Sequence, residues 1–181
     1  RQSWSKNVIA LGLSSGFLEP LESTSIHLIM TGGTRLIHLF PFGGVTQSFI
    51  DQYNHEVRLE LEKVRDFIIL HYHVTEREES FWRDCRTMSI PDSLARRLSM
   101  FRERAHAWQA DGELFRVDSW MQVMLGQRLE PRAHHLLAKL MTEEQLRKAL
   151  ADIKANIATA VAKMPQHQAF LEGYCRAEDA A

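Results

Sequence analysis

Asn7-Val8-Ile9-Ala10-Leu11-Gly12-Leu13-Ser14-Ser15-Gly16-Phe17-Leu18-Glu19-Pro20-Leu21-Glu22-Ser23-Thr24-Ser25-Ile26 is the stretch that decides how the remainder of the chain is read. Its first five residues are a short, nearly continuous apolar run closed by Gly12. By length and flanking glycine that run predicts a buried strand. Leu13 to Pro20 reads as a loop, and Ser23 or Thr24 is a good residue type to open a helix. Glycines let backbone approach a ligand closely, and a helix N-terminus offers unpaired amides to an anion. Strand, glycine loop and helix start therefore resemble a dinucleotide site in outline, although the outline alone reads first as a structural turn.

Downstream, the apolar spacing is helical almost throughout. Ile26, Ile29, Gly33, Leu36, Ile37 and Phe40 carry the first helix to a stop at Pro41 and Gly43-Gly44. Ile50, Tyr53, Val57, Leu61, Val64 and Ile68 form one stripe of a long helix from about Thr46 to Tyr72. A short helix is expected over Ser80 to Thr87. Ser89-Ile90-Pro91-Asp92 opens another, expected to reach about Trp108, and Asp111-Gly112 marks a turn. Thr142-Glu143-Glu144-Gln145 has the form of a capping box, and Leu146, Leu150, Ile153, Ile157, Val161 and Met164 continue it to Pro165. A lone strand needs partners, so the sheet it joins is expected outside this chain. Arg1 stands where a Met would open a full protein, which suggests an internal start.

Composition narrows the function classes. The 181 residues suffice for one domain, or one domain and a remnant. Lys and Arg number 22 against 23 Asp and Glu, a balance without the basic excess that binds nucleic acid. No run approaches the roughly 18 apolar residues of a membrane span. Cys85 and Cys175 fit no disulfide framework and no zinc spacing, and read as reduced thiols of a cytoplasmic protein. His71 with His73, and His134 with His135, lack the spacing that puts two imidazoles on one helix face, so no metal site is read. Glu56, Glu60, Glu62, Lys63 and Arg65 read as a solvated helix face.

The full quoted string closely resembles the signature of flavin-dependent tryptophan halogenases, Gly-x-x-x-Gly-Phe-x-Glu-Pro-Leu-Glu-Ser-Thr between a strand and a helix. Tyr53-Asn54, Arg65-Asp66-Phe67-Ile68 through His71-Tyr72, Phe81-Trp82-Arg83-Asp84 and Ile90-Pro91-Asp92-Ser93-Leu94 also look like that family. The resemblance is strong from about Trp4 to Leu98 and then fades. It implies a mainly α chain: the helical C-terminal part of an α/β (α+β) FAD-binding flavoprotein, with one terminal strand of the FAD-domain sheet at its start. Residues 1–30 would be the closing strand, loop and helix start of that domain, and 31–181 a helical substrate-side domain.

The resemblance also implies chemistry. In the family, reduced FAD, oxygen and halide yield hypohalous acid, which travels through a tunnel to an aromatic substrate. A lysine and a glutamate there hold or polarise it. Glu22 falls on that glutamate, where a fixed negative charge stabilises a cationic ring intermediate. Its plainer role is a helix-start acid. Ser23 falls on the serine thought to bridge the glutamate to the flavin side, or it simply caps the helix. Thr24 and Ser25 fall where backbone amides bind the halide. Many members carry glycine at Ser25, and a side chain there narrows the space. Leu13, Gly16, Phe17, Glu19, Pro20 and Ile26 would line the flavin and tunnel side. Phe115 and Trp120 are candidates to stack on the substrate, with core packing as the competing role. The segment around them lacks the paired tyrosine of tryptophan-specific members, which leaves an indole or another aromatic open.

The Gly-x-Gly-x-x-Gly turn, the Trp-x-Trp-x-Ile-Pro motif and the catalytic lysine of the family do not occur in this sequence. The chain alone is therefore expected to be inactive. A separate flavin reductase would supply the reduced cofactor, and a homodimer is left open. Two other readings remain: a flavin-dependent hydroxylase of the same superfamily, and a non-catalytic helical interaction module.

Overall fold

A computed structural model of the protein describes residues 2–176. It divides into two compact units, Arg1–His134 and His135–Ala181. The boundary expected at residue 30 falls inside a continuous helix.

The first unit opens with a hairpin. β1 (Trp4–Ser5) pairs antiparallel with β2 (Val8–Ile9), Trp4 opposite Ile9 and Ser5 opposite Val8. The expected strand is thus shorter than Asn7 to Leu11, and its partner lies four residues upstream. Lys6, at φ 53°, makes the tight turn that allows this pairing. Val8 is exposed, so the apolar run packs one face only. Asn54 of the second helix holds the hairpin: its Oδ1 accepts from the amides of Ser3 (2.8 Å) and Trp4 (2.9 Å), and its Nδ2 donates to the Trp4 carbonyl (2.8 Å). The Trp4 indole packs edge-on against Tyr53, their centroids 5.6 Å apart.

Helices α1 (Thr24–His38), α2 (Gln47–His73) and α3 (Ser80–Thr87) fall where apolar spacing and stop signals put them. Tyr53 of α2 donates to the Gly32 carbonyl of α1 at 3.3 Å. A side chain at Gly32 would meet Leu11 at 3.1 Å, so glycine here lets the loop seat on α1. Arg35 of α1 bridges Glu56 (3.0 Å) and Glu60 (2.9 Å) of α2. Burial raises the Tyr53 phenol above its ordinary range, with Arg35 opposing.

Helix α4 (Asp92–Arg104) stops short of Trp108. Ala105 adopts φ 54° and closes it, its amide bonded to Phe101. The reason is tertiary. The chain turns back so that the Trp108 carbonyl accepts from Arg97 at 2.6 Å and its ring lies 4.4 Å from that guanidinium. Trp120 covers Arg97 at 3.9 Å, and Glu113 pairs with it at 2.5 Å. Burial pushes the Arg97 guanidinium below its usual value, and Glu113 opposes that shift. α5 (Val117–Gly126) then completes a core of Phe67, Leu70, Val74, Leu94, Leu98, Phe101, Trp120 and Met124. Each such side chain contributes roughly 1.5–3 kcal/mol when fully buried.

The second unit holds a 3-10 turn at Leu136–Leu140, α6 (Glu143–Ala162) and α7 (His167–Tyr174). Thr142 and Gln145 form the reciprocal capping box that the sequence signals, at 3.2 and 2.8 Å. The apolar stripe of α6 is exposed.

Arg97 gives a test of this packing. Glu113→Ala leaves a buried guanidinium without its counter-charge, at an expected cost of about 3–5 kcal/mol. In urea titration of the whole protein the midpoint should fall well below that of the parent. Glu143→Ala, which breaks the exposed pair with Arg147, should leave it unchanged. Equal midpoints for the two variants would contradict this account of the core.

Candidate functional site

The loop from Ala10 to Ser23 is built from short, local hydrogen bonds. Ala10 donates its amide to Ser3 at 2.7 Å, which launches the loop from the hairpin. Gly12 sits at φ 64°, where a Cβ would also stand 3.3 Å from Ile29. The hydroxyls of Ser14 and Ser15 donate to the carbonyls of Leu11 and Gly12, both at 2.7 Å. These bonds absorb the polar groups of a 3-10 turn, Gly12–Ser14, and deliver the chain to Gly16 with open space around it.

The second half of the loop is strained. Glu22 (φ 66°) and Ser23 (φ 52°) are consecutive left-handed residues, and neither is glycine. That conformation costs roughly 1–2 kcal/mol per residue. It persists where surroundings fix it, and two neighbouring residues of α2 do so. The Nε2 of His71 lies 3.3 Å from Glu22 Oε1. The Tyr72 hydroxyl donates to Glu19 Oε2. Accepting that bond, Glu19 holds the Tyr72 phenol above its ordinary range. His71 is in turn fixed by its Nδ1, 2.8 Å from the Phe67 carbonyl, and by the Phe67 ring edge-on at 4.9 Å.

Ser23 occupies the N-cap position of α1, but its side chain makes no capping hydrogen bond. Thr24 and Ser25 are the first two residues of α1, so their amides precede the first intrahelical acceptor. Thr24 is buried. Ser25, Gly12, Leu13, Gly16, Ile29 and Arg35 line a cavity of about 40 Å³. The Leu13, Phe17 and Ile26 side chains are exposed on the outer side of the loop and of α1.

Phe115 and Trp120 lie elsewhere, behind the His71 ring. Phe115 stacks on Phe67 at 3.8 Å, and Trp120 meets Phe67 edge-on at 4.8 Å. Trp120 is 1% exposed, so a substrate ring reaches it only by displacing the core. An open groove of about 330 Å³ adjoins His71 instead, lined by Leu21, Tyr72, Thr75, Arg77, Trp82 and Gln127. Tyr72 stacks on Trp82 at 5.7 Å, with the Arg77 guanidinium 4.7 Å from that indole. The histidines His71 and His73 part company, the latter facing the Cys85 carbonyl at 3.3 Å.

Sequence reasoning missed His71 and Tyr72 as parts of the site. Tyr72 and Glu19 are 53 residues apart, and no spacing rule joins a loop acid to a helix at that separation. The available signal was the resemblance of the His71-Tyr72 segment itself.

Residues 1–143 match the family described as tryptophan halogenase. A 7-chloro-L-tryptophan 6-halogenase of Kutzneria is 38% identical over 110 residues, 60% of this chain and 20% of that protein. A tryptophan 6-halogenase of Streptomyces toxytricini is 40% identical over 102 residues, again 20% of its length. The chain thus spans about a fifth of the curated relatives it matches. Among solved structures, a flavin-dependent halogenase from Xanthomonas campestris is 45% identical with a TM-score of 0.91, over 99% of this chain and 36% of that one. Another from Brevundimonas is also 45% identical, with a TM-score of 0.86, over 95% of this chain and 35% of that one.

Tyr72→Phe removes one bond to the loop and leaves the helix intact. Hydrogen bonds to charged groups contribute about 1.5–3 kcal/mol, so amides of the Phe17 to Ser23 segment should exchange roughly ten-fold faster or more. Hydrogen exchange read by mass spectrometry on the whole protein checks this. Unchanged exchange there would mean that Tyr72 does not hold the loop.

Proposed function

Because the chain belongs to the tryptophan halogenase family, we propose that in the whole protein it forms the glutamate-bearing side of a flavin-dependent halogenase site acting on an indole or other aromatic substrate. One observation carries the reading. A carboxylate, Glu22, is held in a strained turn that runs directly into the first two amides of α1, at Thr24 and Ser25.

The residues around the loop fit a flavin. Gly16 has nothing within 4 Å of where a side chain would stand, and Leu13, Phe17 and Ile26 present exposed apolar surface, as a flat ring system requires. Leu13, Gly16, Phe17, Pro20 and Ile26 would hold it, with Glu19 anchored behind them by Tyr72. When bound and reduced, FAD supplies with oxygen the oxidising power that converts a halide into hypohalous acid. The halide is assigned to the Thr24 and Ser25 amides, where the positive end of the α1 dipole favours an anion. The Ser25 side chain narrows that space without removing its amide.

Glu22 acts on the substrate side. Electrophilic halogenation makes the aromatic ring transiently cationic, and a preplaced carboxylate stabilises that charge and accepts a hydrogen bond. The Ser23 hydroxyl, uncommitted to capping, is available to bridge Glu22 and the flavin side. A separate flavin reductase supplies reduced FAD, and the cytoplasm is the compartment proposed. No described helix is long and apolar enough to cross a membrane.

The test is Glu22→Gln in the whole protein. Glutamine keeps the shape and one acceptor but removes the charge. Losing one preorganised electrostatic contact costs about 10²–10³ in rate, so halogenated product should fall by that factor while reduced flavin is still reoxidised at the parent rate. Product is read by mass spectrometry and flavin by absorbance. Halogenation at the parent rate would reduce Glu22 to a helix-start acid.

A further inference from the structure

We propose that His71 is the positioning residue of Glu22: its ring stands beside the carboxylate and sets its direction toward the substrate. This rests on the halogenase reading for the role of Glu22, and on the geometry for everything else.

A backbone carbonyl oxygen only accepts hydrogen bonds. The 2.8 Å contact between His71 Nδ1 and the Phe67 carbonyl therefore places a hydrogen on Nδ1. That choice decides the other nitrogen. Nε2 lies 3.3 Å from Glu22 Oε1. A neutral ring with its hydrogen on Nδ1 would turn a lone pair toward a carboxylate, which repels it. The contact is attractive when a proton sits between the two groups. The Glu22 carboxylate stands at ion-pair distance from Nε2, and the Phe67 carbonyl fixes which ring nitrogen faces it.

The ring is also held in place. It meets the Phe67 ring edge-on, and Phe67 is 1% exposed and stacked on Phe115. Rotation about the His71 side chain would break the carbonyl bond and open the core. Among the described residues Glu22 is the acid paired with His71; the Tyr72 hydroxyl serves Glu19, and His73 faces Cys85. The side chain of Glu22 is 38% exposed against 17% for His71, so the carboxylate is the more open partner of the pair. Ordering a catalytic carboxylate this way limits the volume it samples in the transition state.

Two substitutions separate this role from plain helix packing. In His71→Asn the amide reaches the position of Nδ1 and keeps the bond to the Phe67 carbonyl, but nothing reaches Glu22. In His71→Gln the amide reaches the position of Nε2 and can donate to Glu22. In the whole protein, the yield of halogenated product per flavin oxidised should fall about ten-fold or more in His71→Asn, with KM for substrate little changed, and recover in large part in His71→Gln. The reverse order, or parent yield in both variants, would overturn the proposal. A second readout needs no turnover. In ¹⁵N-histidine spectra of the whole protein, assigned with His71→Gln, the Nδ1 signal should be that of a protonated nitrogen, and Nε2 should shift when Glu22 becomes Gln. An unprotonated Nδ1, or an Nε2 that ignores Glu22, overturns the pairing even if the parent protein proves not to halogenate. A parent that shows both signals yet makes no halogenated product would instead refute the halogenase reading alone.

Discussion

Two adjacent residues of α2, His71 and Tyr72, each hold one acid of the Glu19-Pro20-Leu21-Glu22 turn, and the site has its form because of them. The turn carries two consecutive non-glycine residues in left-handed backbone, a conformation that local sequence does not favour. α2 is rigid enough to oppose that strain because its own ends are fixed. Tyr53 and Asn54 tie its early turns to α1 and the hairpin, and Phe67 and Leu70 anchor its later turns in the core. Core packing is thereby converted into the direction of a carboxylate.

What was legible in the sequence was whatever local signals decide. The spans of α1, α2 and α3 follow apolar period and stop residues a few positions apart, and the start of α6 follows the capping box at Thr142. The end of α4, the pairing of the hairpin and the existence of α5 depend on contacts made after folding. Arg97 recruits the Trp108 carbonyl and Glu113, and so cuts α4 short of the point to which its composition would extend it. Likewise the run Glu22-Ser23-Thr24-Ser25 is consecutive and readable as a string, whereas its supports on α2 are not. Phe115 and Trp120 were ambiguous between substrate and core because an aromatic residue serves either. The structure stacks Phe115 on Phe67 and buries Trp120 in the core.

The chain presents an acid, a helix start and an exposed apolar loop surface, and these belong to different parts of one proposed reaction. In that proposal the Thr24 and Ser25 amides serve the halide and flavin, and Glu22 the substrate. One turn of chain separates them.

The central claim is that the Glu22 loop serves halide transfer to an aromatic ring. The most direct measurement supplies the whole protein with indole, reduced FAD and oxygen, with and without bromide, and identifies the product by mass spectrometry. The account predicts a brominated ring, with the two-line bromine isotope pattern, that forms only when bromide is present. A hydroxylated ring formed equally well without halide would contradict it.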